Sequence, residues 1–218
     1  EGLLVEIGGY EAVEGYLIAR YHMYRLVYFH RVVRSAEAML ECAFSRARTR
    51  IEEGDMGLAP PGTLGSLMRR ETVAPSDYAD VGDYDAWSLI AAWRDDSDNV
   101  LADLCDDLMR RRLFACRERE VDDWDDELTL VARVREELAA NERWYFFADE
   151  AGDVPYRPYV PRASNQSVRI RGRDGRVFHI EQRSHVARAL ADAAYRLRRW
   201  YYHPMLEAKL RRIVGNRW

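Results

Sequence analysis

The first fifty residues carry a helical pattern that contains no proline. Pro is absent before Pro60, and apolar residues recur at spacings of three and four from Glu11 to Ile51. The positions that follow this spacing are Val13, Tyr16, Leu17, Tyr24, Val27, Tyr28, Val32, Ala36, Met39, Ala43 and Ala47. Gly8-Gly9 breaks the pattern before it and Gly54 after it. We predict one long helix of about ten or eleven turns and leave open whether it is kinked. A helix of this length normally runs through the middle of a larger bundle.

Three further helices are predicted between this segment and residue 141. A loop rich in Pro and Gly covers residues 57–66, with one short helical turn after it. Asp83 and Asp98 are predicted to cap two consecutive helices. Their predicted inner positions are Trp87, Ile90, Ala91 and Trp93 in the first helix, and Leu101, Leu104, Cys105, Leu108 and Met109 in the second. A third helix is predicted from Asp122 to Asn141, with acidic residues in its first turn, where the helix dipole favours them.

From Arg143 onward the periodicity changes. Residues 143–150 are aromatic and strand-like, and residues 167–182 alternate apolar and polar side chains around Asp174-Gly175. This alternation predicts a β-hairpin. Its candidate pairs join Val168 and Ile170 to Val177, Phe178 or Ile180. Ser184 is predicted to cap a final helix over residues 185–197.

These elements predict a mainly α protein with two parts. A helical body would cover residues 1–141, built on the long helix, and a small α+β region with the hairpin would cover residues 142–218. The chain has 218 residues, which suits one domain or one domain with a small appendage.

The composition excludes several classes of protein. Hydrophobic residues make up 48% and charged residues 32%, which are globular values, and the net charge of −4 does not suggest a protein that coats nucleic acid through bulk charge. Cys42, Cys105 and Cys116 form no CxxC pair, so we expect reduced thiols in a cytoplasmic protein. No stretch approaches the roughly 18 apolar residues of a membrane span.

Arginines and tyrosines alternate within the predicted long helix. Arg20, Tyr24, Tyr28 and Arg31 are spaced so that their side chains stack along one face. Guanidinium groups bind the oxygens of a polyphosphate, and tyrosines offer hydroxyl groups and a flat surface for a sugar or base. The alternative is that the tyrosines pack in the core while the arginines extend to solvent, and spacing alone favours this alternative.

Other polar clusters give no metal site when taken alone. His22 and His30 are about two helical turns apart, and the chain contains no HxxxH or HExxH motif. The acidic runs at 94–98 and 122–126 lie at predicted helix starts, where capping explains them. The basic segment 109–114 either complements a helix end or lines a channel for an anion, and its spacing leaves both open.

Four segments together resemble one family of enzymes. They are YLIARYHMYRLVYFHRVVRSAEAML (16–40), GDYDAWSLIAAWRDDSDNVLADLCDDLMRRRLF (82–114), VRIRGRDGRVFHIEQRSHVARAL (168–190) and RRWYYHPML (198–206). The chain is similar to HD-domain phosphohydrolases, in the branch that hydrolyses deoxynucleoside triphosphates to deoxynucleoside and triphosphate. The segments follow that family's order: the long helix after the metal site, a helix pair, a hairpin and a closing segment.

The resemblance assigns roles to particular residues. It implies that Arg20 contacts the substrate phosphates, that Tyr28 packs on the deoxyribose and that Tyr24 faces the substrate. His30, Arg31 and Arg111 match positions near a regulatory nucleotide site between subunits, so the resemblance also implies a homo-oligomer. Family members vary at the regulatory site.

The family's divalent metal (Mg²⁺, Mn²⁺ or similar) is held by a histidine, a His-Asp pair and a further aspartate, all upstream of the long helix. The resemblance therefore implies that these ligands are missing from this chain and that the chain alone is inactive. Three possibilities follow for the HD half. It belongs to the same protein, it is encoded on a separate chain, or it is absent and this chain is an inactive remnant.

Two functions are predicted. The first is the C-terminal part of a dNTP triphosphohydrolase, with a dNTP as its nucleotide partner. The second is a non-catalytic nucleotide-binding or oligomerisation module, in which a nucleic acid partner is not favoured.

Overall fold

The chain divides into two compact units. The computed structural model describes residues 4–119, 124–153, 167–192 and 195–218. The first unit consists of Glu1–Val33 and Glu150–Leu197, and the second of Arg34–Asp149 and Arg198–Trp218. Each unit is thus built from two stretches of sequence. The boundary predicted from the sequence, between residues 141 and 142, falls inside the second unit. The two units of the structure therefore do not coincide with the two predicted parts of the chain.

Helices dominate the described residues. The α-helices are α1 (Tyr10–Met23), α2 (Arg31–Glu52), α3 (Thr63–Met68), α4 (Pro75–Ala79), α5 (Asp83–Trp93), α6 (Asn99–Met109), α7 (Trp124–Glu137), α8 (His185–Asp192) and α9 (Glu207–Val214). The strands are β1 (Leu4–Glu6), β2 (Ala115–Glu118), β3 (Phe146–Asp153), β4 (Arg169–Arg171), β5 (Val177–His179) and β6 (Tyr195–Tyr202). Single 3-10 turns occur at Ile7–Gly9, Met56–Leu58, Glu142–Tyr145, Ile180–Gln182, Pro204–Leu206 and Gly215–Arg217. This content confirms the predicted fold class, mainly α with a small α+β part.

The first unit contains a three-stranded sheet with the order β1-β4-β5. β4 and β5 pair antiparallel with Ile170 opposite Phe178, which confirms the predicted hairpin. Gly175 in its turn has a φ of +79°, a conformation that glycine adopts without strain. β1, which the sequence pattern did not predict, pairs parallel with β4. Ile170 and Phe178 are buried together with Leu17 of α1, so the sheet and α1 share one small core.

The second unit contains the larger core. A second sheet has the order β2-β6-β3, and β2 with residues 146–149 of β3 and 198–202 of β6 belongs to this unit. β2 and β6 pair antiparallel, from Ala115 opposite Tyr202 to Glu118 opposite Arg199. Large side chains that are almost completely buried here include Met39, Ile90, Leu101, Leu104, Leu138, Trp200, Tyr201, Leu206 and Leu210. Removing these apolar side chains from water is the main driving force for folding of the unit.

The predicted long helix is two helices. α1 ends before a π-helical turn at Tyr24–Tyr28, and α2 begins at Arg31. The Phe29 N–H donates to the Tyr24 carbonyl at 2.8 Å, a spacing of five residues that closes the wider π turn. The helical segment predicted from Glu11 to Ile51 is therefore present, and the break that the prediction left open lies at Phe29 and His30, between the π turn and α2.

His30 stands between the two helices. Its Nδ1 accepts a hydrogen bond from the Val32 N–H at 3.3 Å, in the first turn of α2. The side chain thereby satisfies one of the backbone N–H groups that have no partner at a helix start. Histidine is not among the residues that sequence patterns use to identify a cap, so the break was not located in advance.

Single positions in the helix pair α5 and α6 depart from prediction. Gly82 is the N-cap of α5, and its N–H donates to the Asp85 carboxylate at 2.8 Å, whereas Asp83 is the first helical residue. Trp87 is 45% exposed because it lies about 120° around the helix from the buried Trp93. In the helix pair, Ala91 and Met109 are exposed as well. The predicted cap of α6 is confirmed, since the Asp98 carboxylate accepts from the Leu101 N–H.

Three element boundaries also differ. α7 ends at Glu137 rather than at Asn141, and the predicted first residue of this helix, Asp122, lies outside the described residues. β3 begins at Phe146, after a 3-10 turn. The last predicted helix ends at Asp192, because residues 195–197 join β6 in the sheet. Pairing with a neighbouring strand overrode the local helical pattern there.

Candidate functional site

Arg20, Tyr24 and Tyr28 form a continuous stack at the end of α1 and in the π turn. The Arg20 guanidinium carbon lies 4.6 Å from the centroid of the Tyr24 ring. The Tyr24 and Tyr28 rings are 5.1 Å apart and tilted by 60°. Phe29 adds a third ring, 5.9 Å from Tyr24 and edge-on to it. The predicted stacking of these three residues along one face is therefore present, while their binding role stays a prediction.

The stack is partly open to solvent. Arg20 and Tyr24 are half-buried, and Tyr28 is 49% exposed. Beside the stack, the Arg25 Nη1 donates to the Tyr21 hydroxyl at 3.1 Å. The tyrosines of this segment are thus not core residues. The alternative interpretation of the sequence required them to pack in the core. They present hydroxyl groups and ring faces at a surface.

The chemistry of the stack suits an anion that carries a flat or cyclic group. The Arg20 guanidinium carbon lies over the Tyr24 ring, and phosphate oxygens are bound by the N–H groups at the edge of a guanidinium. One arginine can therefore stack on the ring and donate to phosphate at the same time. Tyr28, with its exposed ring, offers a surface on which a sugar or base can pack.

The three residues assigned to a regulatory nucleotide are divided between the two units. His30 and Arg31 belong to the first unit and are exposed, and Arg111 belongs to the second unit. The His30 ring is engaged as the cap of α2. The structure does not bring these residues together within one unit, and their joint role stays a prediction.

The basic segment after α6 contains two kinds of arginine. Arg110 and Arg112 bind the Asp106 carboxylate at 2.8 and 2.7 Å, and Arg112 also binds Asp107 at 2.6 Å. Hydrogen bonds from Arg110, Arg94 and Arg112 hold the pKa of Asp106 well below its usual range. These pairs favour the helix-end interpretation for Arg110 and Arg112.

Arg111 differs from its two neighbours. Among the described residues it has no ion-pair partner, it is exposed, and its φ of +57° is in the left-handed region. Its N–H donates to the Leu108 carbonyl at 3.1 Å, which ends the helix in the way that glycine usually does. A non-glycine residue costs about 1–2 kcal/mol in this conformation.

The described residues do not provide a metal site. Within residues 4–119, 124–153, 167–192 and 195–218, no three His, Cys, Asp or Glu side chains are grouped so that they could hold a metal ion. The donors present do not fit the divalent metal that the family resemblance implies. Separately, no helix in the described ranges has both the length and the apolar character needed to cross a bilayer.

The second unit contains a cavity that was not predicted from the sequence. A cavity of about 440 Å³ lies between α2, the segment after α7 and the start of β3, and Arg135, Arg143 and Trp144 are among the residues that line it. Its wall comes from regions about 100 residues apart in sequence. No local motif marks such a site.

Comparison with known proteins adds a family relationship for part of the chain. Residues 1–58 match the family described as the HD associated region. The uncharacterized protein YwfO of Bacillus subtilis is 25% identical over 225 residues, which cover 98% of this chain and 52% of YwfO.

Solved structures of similar fold include two bacterial proteins. A phosphohydrolase from Bacteroides thetaiotaomicron has a TM-score of 0.68 and 21% identity, over 91% of this chain and 51% of that chain. A hypothetical protein from Aquifex aeolicus has a TM-score of 0.57 and 17% identity, over 97% of this chain and 47% of that one. The chain spans about half the length of these relatives.

The match to the HD associated region includes α1, the π turn and α2, and hence the whole Arg20–Tyr24–Tyr28 stack. The fold likeness to the Bacteroides phosphohydrolase extends over most of the chain. Residues 1–58 are thus similar to the HD associated region, and the likeness to the Bacteroides protein shows a shared fold.

Proposed function

We propose that this chain is the C-terminal part of an HD-type dNTP triphosphohydrolase. In the proposed reaction, water adds to the α-phosphorus of a dNTP and the bond to the deoxynucleoside oxygen breaks. The products are deoxynucleoside and triphosphate. The role of this chain is to bind the substrate, with Arg20 at the phosphates, Tyr28 at the deoxyribose and Tyr24 between them.

The observation that supports this proposal is the Arg20–Tyr24–Tyr28 stack within the HD associated region. A dNTP has a polyanionic end and a cyclic sugar, in that order. The stack offers a cation and then two rings in the same order, with centres 4.6 and 5.1 Å apart. The exposed ring of Tyr28 would lie where a 2′-hydroxyl projects, so removing the ring should weaken discrimination against ribonucleotides.

The proposed reaction needs a divalent metal, and the residues described here do not fit one. We place the metal ligands of the complete enzyme outside the described residues, in an HD segment of the same protein or of a separate chain. For this reason we expect the 218-residue chain alone to release no triphosphate.

The test is hydrolysis of each of the four dNTPs by the complete protein that contains this chain, with Mg²⁺ or Mn²⁺. We expect equimolar deoxynucleoside and triphosphate, and a loss of kcat/KM of at least about tenfold in Arg20→Gln, because a charge-assisted bond to phosphate is removed. Arg173→Gln, an exposed change in the hairpin turn, is the matched control. If no dNTP is turned over, the proposal fails.

A second candidate function is a non-catalytic nucleotide-binding or oligomerisation module. The exposed apolar side chains of the first unit favour it, since Tyr16, Leu26 and Val27 are each more than half exposed. In this alternative the chain forms a homo-oligomer, and Arg20, Arg31 and Arg111 bind a nucleotide as a signal. Nucleotide binding without turnover, with a mass by light scattering that falls in Leu26→Glu, would favour this candidate over the enzyme.

A further inference from the structure

The cavity in the second unit has the size and the lining of a ligand site. Its volume of about 440 Å³ falls within the range of small-molecule pockets, roughly 300–1,000 Å³. Packing defects in protein interiors are much smaller, seldom larger than a water molecule. The wall belongs entirely to the second unit, whereas the Arg20–Tyr24–Tyr28 stack belongs to the first.

The charged residues of the wall favour an anion. Arg135 of α7 and Arg143 contribute two positive charges, and Glu41 of α2 contributes one negative charge. Arg143 is oriented by a bond from its Nε to the Leu138 carbonyl at 3.3 Å. Arg135 forms no ion pair with any residue that the structure describes, and the Glu41 carboxylate lies in the same wall.

The aromatic residues of the wall favour a planar ring. Trp144, Phe146 and Phe147 line the cavity together. Trp144 is also contacted by Arg46, which is not one of the lining residues. The Arg46 guanidinium lies 5.5 Å from the Trp144 ring centroid and is itself bound to the Asp98 carboxylate. An indole fixed in this way is a rigid surface for stacking.

The thiol in the wall does not act as a nucleophile. Burial raises the pKa of Cys42 to about 12, so the thiol stays protonated at neutral pH. The wall also contains the Ser45 hydroxyl and the Glu41 carboxylate, and none of its lining residues is a histidine. The cavity therefore has the composition of a binding site rather than of a reaction centre.

We propose that this cavity binds a small molecule with a planar aromatic ring and an anionic group. The ring packs against Trp144 and Phe147, and the anion binds Arg135 and Arg143. This site is additional to the dNTP site proposed above and does not depend on it.

The probe for the test is 1-naphthyl phosphate, which has both a ring and an anion but is not a nucleotide. We expect saturable binding by isothermal titration calorimetry. 1-Naphthol, which lacks the anion, and inorganic phosphate, which lacks the ring, should each bind at least about tenfold more weakly. Absence of saturable binding of the naphthyl phosphate would overturn the proposal.

The variants separate this site from the rest of the molecule. Arg135→Gln should raise the Kd for 1-naphthyl phosphate at least about tenfold. Arg133→Gln is the matched control, because Arg133 lies two residues earlier on α7 and binds Glu137 instead of lining the cavity. Equal effects of the two substitutions would contradict the proposal. An equal loss in Arg20→Gln would place the probe at the other site and would contradict it too.

Discussion

The helices on either side of the π turn carry the same apolar spacing but use it differently. α2 buries seven of its residues, among them Met39, Ala43 and Ala47. α1 buries only Leu17, and the π turn after it buries none of its residues. α2 is therefore a core helix of the second unit, whereas α1 and the π turn present aromatic and apolar side chains at a surface.

Arginines of both segments are engaged by neighbouring side chains. In α2, Arg34 binds Asp149, while Arg46 and Arg50 both bind Asp98. In α1, the Arg20 guanidinium carbon lies over the Tyr24 ring. The difference in burial between the two helices leads us to propose the function in the first segment and a structural role for the second.

The largest expected effect is on the core of α2. Met39 is completely buried, so Met39→Ala should lower the free energy of unfolding by about 2–5 kcal/mol, through lost apolar contacts and the cavity left behind. Leu26→Ala in the π turn is the matched substitution, and with Leu26 at 63% exposure it should cost less than about 0.5 kcal/mol. Urea denaturation measures both. Equal losses would remove the contrast between the two segments.

The next effect concerns the carboxylate that binds two arginines of α2. Asp98→Asn should cost about 2–3 kcal/mol in urea denaturation, because the bonds to Arg46 and Arg50 lose their charge. Asp95→Asn, an exposed change in the preceding turn, should cost less than about 0.5 kcal/mol.

The same carboxylate predicts a dependence of stability on pH. Burial alone would raise the pKa of Asp98, but hydrogen bonds from Arg46, the Leu101 N–H and Arg50 outweigh it and hold the pKa at about 2. Since this lies below the value of an unfolded aspartate, the stabilisation is complete above about pH 4 and is lost as the pH falls toward about 2. Asp98→Asn should lose less stability across that interval than the unmodified chain, and an identical pH profile would contradict the assignment.

A smaller effect is expected where α1 is anchored. The Ser184 hydroxyl accepts from the Ala187 N–H at 2.8 Å, which caps α8, and donates to Glu14 of α1. Ser184→Ala should lower the free energy of unfolding by about 1 kcal/mol. Ser88→Ala, on the exposed side of α5, should change it by less than about 0.5 kcal/mol. A neutral Ser184→Ala would show that this bond does not hold α1.

Features with a local cause were predicted from the sequence. The hairpin at Gly175 and the caps at Asp98 and Ser184 each depend on residues within a few positions of one another. The stack of Arg20, Tyr24 and Tyr28 was predicted as well, because a spacing of four brings side chains together in an α-helix and still does so through this π turn.

Features with a distant cause were not predicted. Residues 195–197 belong to β6, whose neighbours in the sheet, β2 and β3, lie far away in sequence. The cavity beside Trp144 is formed by residues from 41 to 147. Periodicity likewise shows which apolar residues of α1 share a face, but not whether another element covers that face.

The central claim is that the stack at the end of α1 binds a deoxynucleoside triphosphate. The most direct measurement is calorimetric titration of the chain with each of the four dNTPs, before and after Arg20→Gln, with Arg173→Gln as the control. The account predicts that at least one dNTP binds and that Arg20→Gln alone raises its Kd at least about tenfold. Binding of no dNTP, or an unchanged Kd in Arg20→Gln, would contradict it.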